Sequence, residues 1–167
     1  MKMAGFYDES MSNGIGWRAV LFVSGCPHNC PGCHNKIAQD YNYGEEFDQN
    51  AIINRIKENS ILKGVTISGG EPLCKENIKD VNDFIEALKK EKPELNIWCY
   101  SGYTFEELKN RKDEITDITL NNIDVLVDGR YVEARKNPEI RFRGSDNQRI
   151  IDLRKTLNEN KIVELEL

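Results

Sequence analysis

The sequence predicts an α/β fold in which mostly parallel strands are joined by helical crossovers, built as one domain over residues 1–167. Three observations predict it. Short β-rich runs alternate with stretches of helical periodicity, the pattern of βαβ units. The runs end in small or polar groups, Ser24-Gly25, Ser68-Gly69-Gly70, Ser101-Gly102 and Asp128-Gly129, at the strand ends where barrel-type parallel sheets place their chemistry. Only four or five such runs occur, too few for a closed eight-stranded barrel of ~250 residues. An open, partial (β/α) barrel of short form is therefore expected, entered through an N-terminal hairpin.

The hairpin rests on Asn13-Gly14, a turn signal between a short strand near residues 3–8 and a stronger one over 17–24. Residues 47–59 read as a helix, with Asp48 as its cap and Ala51, Ile52, Ile53 and Ile56 on an apolar side. Gly64 precedes the β run 65–68, which Gly69-Gly70-Glu71-Pro72 breaks. The helical period is clearest over 77–90, where Ile78, Val81, Phe84, Ile85 and Leu88 recur, with Pro93 just beyond. The next strand is 95–100. Thr104 and Glu107 then have the spacing of a capping box for a helix through about Arg111. Residues 123–127 read as a buried strand and 149–153 as a last one, and the alternation over 161–167 suits an edge strand or a docking segment.

Composition narrows the function. Hydrophobic residues are 39% of the chain and charged residues 31%, as in a soluble globular domain. No run approaches the ~20 consecutive apolar residues of a membrane span, and residues 1–8 lack an apolar signal region. A cytoplasmic protein with no membrane partner is expected. The net charge of −5 argues against a nucleic-acid partner, which calls for a basic face, although Arg141, Arg143, Arg149, Arg154 and Lys155 do cluster late in the chain.

Three of the five cysteines fall within eight residues, as Cys26-x3-Cys30-x2-Cys33. Where thiols stay reduced, such a run signals metal or redox chemistry rather than disulfides. The short tether lets all three face one centre at little loop-closure cost. Two metal types suit them. Zinc would take a fourth ligand, His28 or His34, or a water. A [4Fe-4S] cube on three cysteines leaves one iron open to something that reacts. Pro27 and Pro31 stiffen the loop, and Gly25 and Gly32 allow backbone close to a bulky group. Gly69-Gly70-Glu71 reads by itself as a tight strand-to-helix turn. Placed after a β run, it also offers carbonyls and an acidic residue to an ammonium, and helix amides to a carboxylate. A small zwitterion has those two ends.

The cysteine run after a first strand, with Gly69-Gly70-Glu71-Pro72 after the second, resembles the radical S-adenosylmethionine superfamily. Residues 22–35, 101–104, 124–130 and 143–151, together with the short chain, are similar to one branch of it, the activating proteins of anaerobic ribonucleoside-triphosphate reductases. The likeness runs from Gly14 to Asp152. It implies that Cys26, Cys30 and Cys33 bind three irons of a [4Fe-4S] cluster and that S-adenosylmethionine chelates the fourth. It implies that Gly69, Gly70 and Glu71 seat the methionine end and that Ser101 touches the ribose or the carboxylate. Asp128 is a further contact or simply a turn residue before Gly129. The superfamily often has an aromatic residue before the third cysteine, and this chain has Gly32. The backbone of Gly32, Cys33 and His34, with the His34 ring, is then the expected adenine contact. The implied reaction is reductive cleavage of S-adenosylmethionine to a 5′-deoxyadenosyl radical, which takes hydrogen from one glycine of the reductase. The implied partners are the large subunit of that reductase and a flavodoxin-like or other low-potential electron donor. The short chain reads as access for a macromolecular loop.

Cys74 and Cys99 read as small buried apolar residues, and Trp17 and Trp98 as packing against the sheet. The late basic residues read as solvated surface or as a face toward an acidic partner. Two other classes stay open: a radical S-adenosylmethionine enzyme for a small molecule or another glycyl-radical enzyme, and a zinc-binding adaptor without catalysis.

Overall fold

The computed structural model describes residues 1–167. Strands β1 (Lys2–Ser10) and β2 (Arg18–Val23) form the antiparallel N-terminal hairpin. Strand β3 (Glu45–Glu46) pairs with the start of β1, at Lys2 and Met3. From β2 the sheet steps in one direction through β4 (Gly64–Gly69), β5 (Asn96–Ser101) and β6 (Val125–Asp128), all parallel. Strand β7 (Arg149–Asp152) lies antiparallel to β6. The order is β3-β1-β2-β4-β5-β6-β7, an open seven-stranded sheet.

Helix α1 (Gln49–Glu58) joins β2 to β4, α2 (Ile78–Glu91) joins β4 to β5, and α3 (Phe105–Asn110) with α4 (Glu114–Asn122) joins β5 to β6. Helix α5 (Leu153–Glu159) follows β7. Right-handed crossovers that always step the same way put their helices on one face of the sheet. Strand alternation supplies that face with Leu21, Val23, Val65, Ile67, Ile97, Cys99, Leu126 and Ile151, which join Ile52, Ile56, Phe84, Leu88, Leu108, Leu120 and Leu153 in one core. Each large side chain fully buried there contributes about 1.5–3 kcal/mol.

The other face carries a smaller cluster, Trp98, Val125, Val127 and Ile150, with Phe142 packed on it. It also holds Arg18, which is 0% exposed. Arg18 Nε donates to Thr66 Oγ1 at 2.7 Å, and Nη2 donates to Val65 O at 3.0 Å and Asn96 O at 3.1 Å. Its guanidinium stands 5.3 Å from the Trp98 ring centroid. Burial pulls the Arg18 pKa down to about 10.

Local signals explain the helix starts. Asp48 accepts from Ala51 N–H, and Thr104 with Glu107 completes the capping box. Four features depart from the expectation. Helix α4 is not legible in Glu114-Ile-Thr-Asp-Ile-Thr-Leu-Asn-Asn122, rich in poor helix formers. Asp113 caps it through Thr116 N–H, and burial of Thr116, Thr119 and Leu120 holds it. The last strand runs antiparallel and hands directly to the unforeseen α5, which Asp152 caps through Lys155 N–H. The hairpin connection is a longer loop over residues 11–17 rather than a tight turn at Asn13-Gly14. It folds inward: Thr66 Oγ1 donates to Asn13 O at 2.8 Å and Arg18 Nη1 to Ile15 O at 3.0 Å. Finally, Trp98 packs against the sheet, but Trp17, beside that loop, is 40% exposed.

The C-terminal residues take the edge position. Asp152 N–H donates to Val163 O and Leu165 N–H to Ile150 O, each at 2.8 Å, along the outer side of β7. No helix is long and apolar enough to cross a membrane.

Candidate functional site

The site grows from the parallel pair β2 and β4, whose last residues, Val23 and Gly69, are register partners. Beyond them the cysteine loop and the Gly-Gly-Glu turn are bonded together. Gly70 N–H donates to Val23 O at 2.8 Å, and Glu71 N–H donates to Gly25 O at 2.7 Å. Gly25 N–H donates to Ala38 O at 2.7 Å and Cys26 N–H to Gln39 O at 3.1 Å. Asn77, at the start of α2, spends its side-chain amide on Ser24 O at 2.9 Å and Glu71 O at 3.1 Å. Both glycines are required. Gly69 has φ +106°, in the left-handed region, and a Cβ on Gly70 would strike the carbonyl oxygens of Gly25 and Ala38.

Cys26, Cys30 and Cys33 line one cavity of about 340 Å³, together with Gly69, Gly70, Ser101 and Gly102 from the strand ends. All three thiols are free and partly buried. Burial, with Glu71 and the other two thiols adding to it, pushes the Cys26 pKa up to about 11, and burial also raises Cys30. Loading metal therefore releases protons.

The donor set fits an iron–sulfur cluster. Three soft thiolates around one cavity suit iron–sulfur or zinc. They do not gather, with any other His, Asp or Glu, into a group for a single ion. Both histidines line the same cavity, each with a neighbour of its own. His28 Nε2 lies 2.7 Å from Glu71 Oε2, and the His34 ring leans on Tyr131 with centroids 4.9 Å apart.

The other expected residues divide. Gly69, Gly70, Ser101, Cys33 and His34 line the cavity, while Gly32 sits on the exposed loop beside Tyr131 and Glu133. Glu71 is 0% exposed and its carboxylate is bonded inside the protein. Ser101 Oγ donates to Glu71 Oε1 at 2.9 Å and accepts from Tyr103 N–H at 3.1 Å. Asp128 is buried, accepting from Phe105 N–H at 2.7 Å and from Arg149, so it ties α3 and β7 to β6. Cys74 and Cys99 are buried, as read, and burial raises both thiol pKa values, that of Cys74 to about 11.

Sequence reasoning missed the far wall of the cavity: Arg130, Tyr131, Gly144 and Gln148. Arg130, Gly144 and Gln148 lie in the family-like stretches 124–130 and 143–151, whose likeness assigned no role to any single residue, and Tyr131 lies one residue beyond the first of them. Gln148 shapes the wall. Its Oε1 accepts from the Gly144 and Ser145 amides, and its Nε2 donates to Gly129 O.

Comparison with known proteins shows the family. A 4Fe-4S single cluster domain family matches residues 12–151. The anaerobic ribonucleoside-triphosphate reductase-activating protein of Escherichia coli (strain K12) is 38% identical over 153 residues, covering 89% of this chain and 97% of its own. Its namesake from Haemophilus influenzae is 37% identical over 147 residues, 86% of this chain and 92% of its own. That of Enterobacteria phage T4 is 35% identical over 146 residues, 86% and 89% of the two chains.

Proposed function

Because the chain belongs to the family of anaerobic ribonucleoside-triphosphate reductase-activating proteins, with its 4Fe-4S single cluster domain, we propose that it generates the glycyl radical of such a reductase. Cys26, Cys30 and Cys33 hold the [4Fe-4S] cluster. S-adenosylmethionine lies with its methionine end at Gly69 and Gly70 and its adenine toward the Gly32–His34 backbone and the His34 ring. A cluster held by Cys26, Cys30 and Cys33 would supply the one electron that breaks the sulfur–C5′ bond of S-adenosylmethionine, with methionine as the leaving group, so that the 5′-deoxyadenosyl group could take a hydrogen atom from a glycine of the reductase and leave as 5′-deoxyadenosine.

The observation that carries this reading is the shared cavity of about 340 Å³, which brings the three thiols and the Gly-Gly turn to one place. The chain's own residues bind and orient. The paired glycines offer backbone without a Cβ in the way, and Ser101 borders the ribose and carboxylate side. The whole chain reads as one radical S-adenosylmethionine domain, an open partial barrel. Parallel strands stepping in one direction with helices on one face support this, and the incomplete barrel leaves room for a loop of the reductase's large subunit. A flavodoxin-like or other low-potential donor provides the electron. The setting is cytoplasmic, where thiols stay reduced, and all five cysteines are free.

The test is anaerobic reconstitution, followed by dithionite, S-adenosylmethionine and the reductase. About four irons per chain, release of 5′-deoxyadenosine and a glycyl-radical electron paramagnetic resonance signal are expected. 5′-Deoxyadenosine without a radical on the reductase would redirect the activity to another glycyl-radical enzyme or a small molecule. A colourless zinc protein would end the reading.

A further inference from the structure

His28 lies between Cys26 and Cys30 in sequence and has an assignment of its own. Its side chain is 5% exposed, and its Nε2 lies 2.7 Å from Glu71 Oε2. A carboxylate only accepts, so Nε2 carries the hydrogen. The ring packs edge-on against Tyr103 with centroids 4.5 Å apart. Arg111 covers Tyr103 at 4.4 Å, and its Nη1 donates to Leu73 O at 2.7 Å. These contacts make a closed circuit: from Glu71 to the cysteine loop, across the connection between β5 and α3, and back to the turn after Gly70.

Glu71 is the hub of that circuit. Its Oε1 accepts from Leu73 N–H at 2.8 Å and Ser101 Oγ at 2.9 Å, and its Oε2 from Gly102 N–H and His28, both at 2.7 Å. A carboxylate has about four lone-pair sites, and four donors fill them. None remains for the ammonium of a ligand.

We propose that His28 is a positioning residue, latching the cysteine loop to Glu71, and that Glu71 is the anchor of this latch rather than a contact to S-adenosylmethionine. The latch fixes where the thiols stand relative to Gly69, Gly70 and Gly102 before any metal arrives. Only its consequence for S-adenosylmethionine rests on the function proposed above.

The test compares wild type, His28→Leu, His28→Asn and His28→Gln in the full-length chain. Leu removes the donor, Asn is too short to reach Glu71, and Gln puts an N–H near the Nε2 position. In metal-free protein, Leu and Asn are expected to speed amide hydrogen exchange at Gly102 and through residues 26–33 by about tenfold or more, with β4 and α2 still protected. Gln restores protection. In anaerobically loaded protein, Leu and Asn weaken S-adenosylmethionine binding by about 10–100-fold, read from the change it causes in the reduced cluster's resonance spectrum, and Gln recovers most of it. The Asn variant decides if the Leu variant does not fold. Unchanged loop exchange in Leu and Asn, or a Gln variant no better than they are, overturns the latch and leaves the cluster assignment intact. If wild type fails to bind S-adenosylmethionine, the proposed function falls, and the exchange data alone still uphold or overturn the latch.

Discussion

The two faces of the central sheet come from the same strands, one residue apart, and they bury opposite things. The helix face of β2 is Ala19, Leu21 and Val23, continuous with the core of every helix. The facing-away set begins with Arg18 and includes Thr66, Trp98 and Tyr100, and the polar side-chain atoms of Arg18, Thr66 and Tyr100 are met one by one. Thr66 bonds Asn13 and Arg18, and the Tyr100 hydroxyl donates to Phe142 O at 2.7 Å. Burying a polar group without a partner costs several kcal/mol in an apolar setting. The helix face therefore admits no ligand, whereas the face roofed by loops holds polar groups and opens into the cavity at its C-terminal rim. Residue parity thus separates core from cavity along the body of each strand, and the separation ends at the strand tips, where Gly69 and Ser101, of helix-face parity, also line the cavity.

That division can be broken by substitution. The largest effect belongs to Cys26→Ala, expected to abolish iron and sulfide binding while the metal-free fold persists. Cys99→Ala, on the helix face, is expected to keep its iron and lose thermal stability. Full iron content in Cys26→Ala would dissolve the comparison. Phe84→Ala, 0% exposed under the helices, should cost about 3–5 kcal/mol in denaturant titration, with iron per folded chain unchanged. Arg18→Met leaves Thr66 and the Val65 and Asn96 carbonyls without their donor. A loss of about 1–3 kcal/mol is expected, and a gain would show that the polar face is held at the expense of stability. Asp48→Ala removes only the cap of α1. It should cost about 1 kcal/mol and leave iron content untouched.

What the sequence disclosed follows the range of the interactions. Strands and helices that announce themselves by alternation, period or a cap three residues away were legible, as with Asp48 and Ala51 or Thr104 and Glu107. Helix α4 was not, because its propensity is weak and its stability comes from burial against distant elements. The site shows the same split. The cysteine run and the Gly-Gly turn are local patterns. The surroundings of Glu71 are not: His28, Ser101 and Gly102 reach it from 43, 30 and 31 residues away. An acidic residue in a turn looks the same in sequence whether it faces a ligand or four donors of its own chain. The role of Gln148, inside a family-like stretch, and the presence of Tyr131, just outside one, were unread for a related reason, since a wall residue carries no chemical signature until the fold sets it opposite the thiols.

The tail along β7 has a corollary for how copies of this molecule coexist. Peptide groups at a sheet margin invite intermolecular strand addition. One margin is sealed by the chain's own last residues. The other, β1 beyond Met3, has no neighbouring strand, and is guarded instead by exposed Glu9 and the Asp8–Arg55 ion pair. Ionic screening weakens electrostatic protection and leaves the tail's backbone hydrogen bonds to β7 in place, so in concentrated salt self-association is expected to begin at the β1 margin.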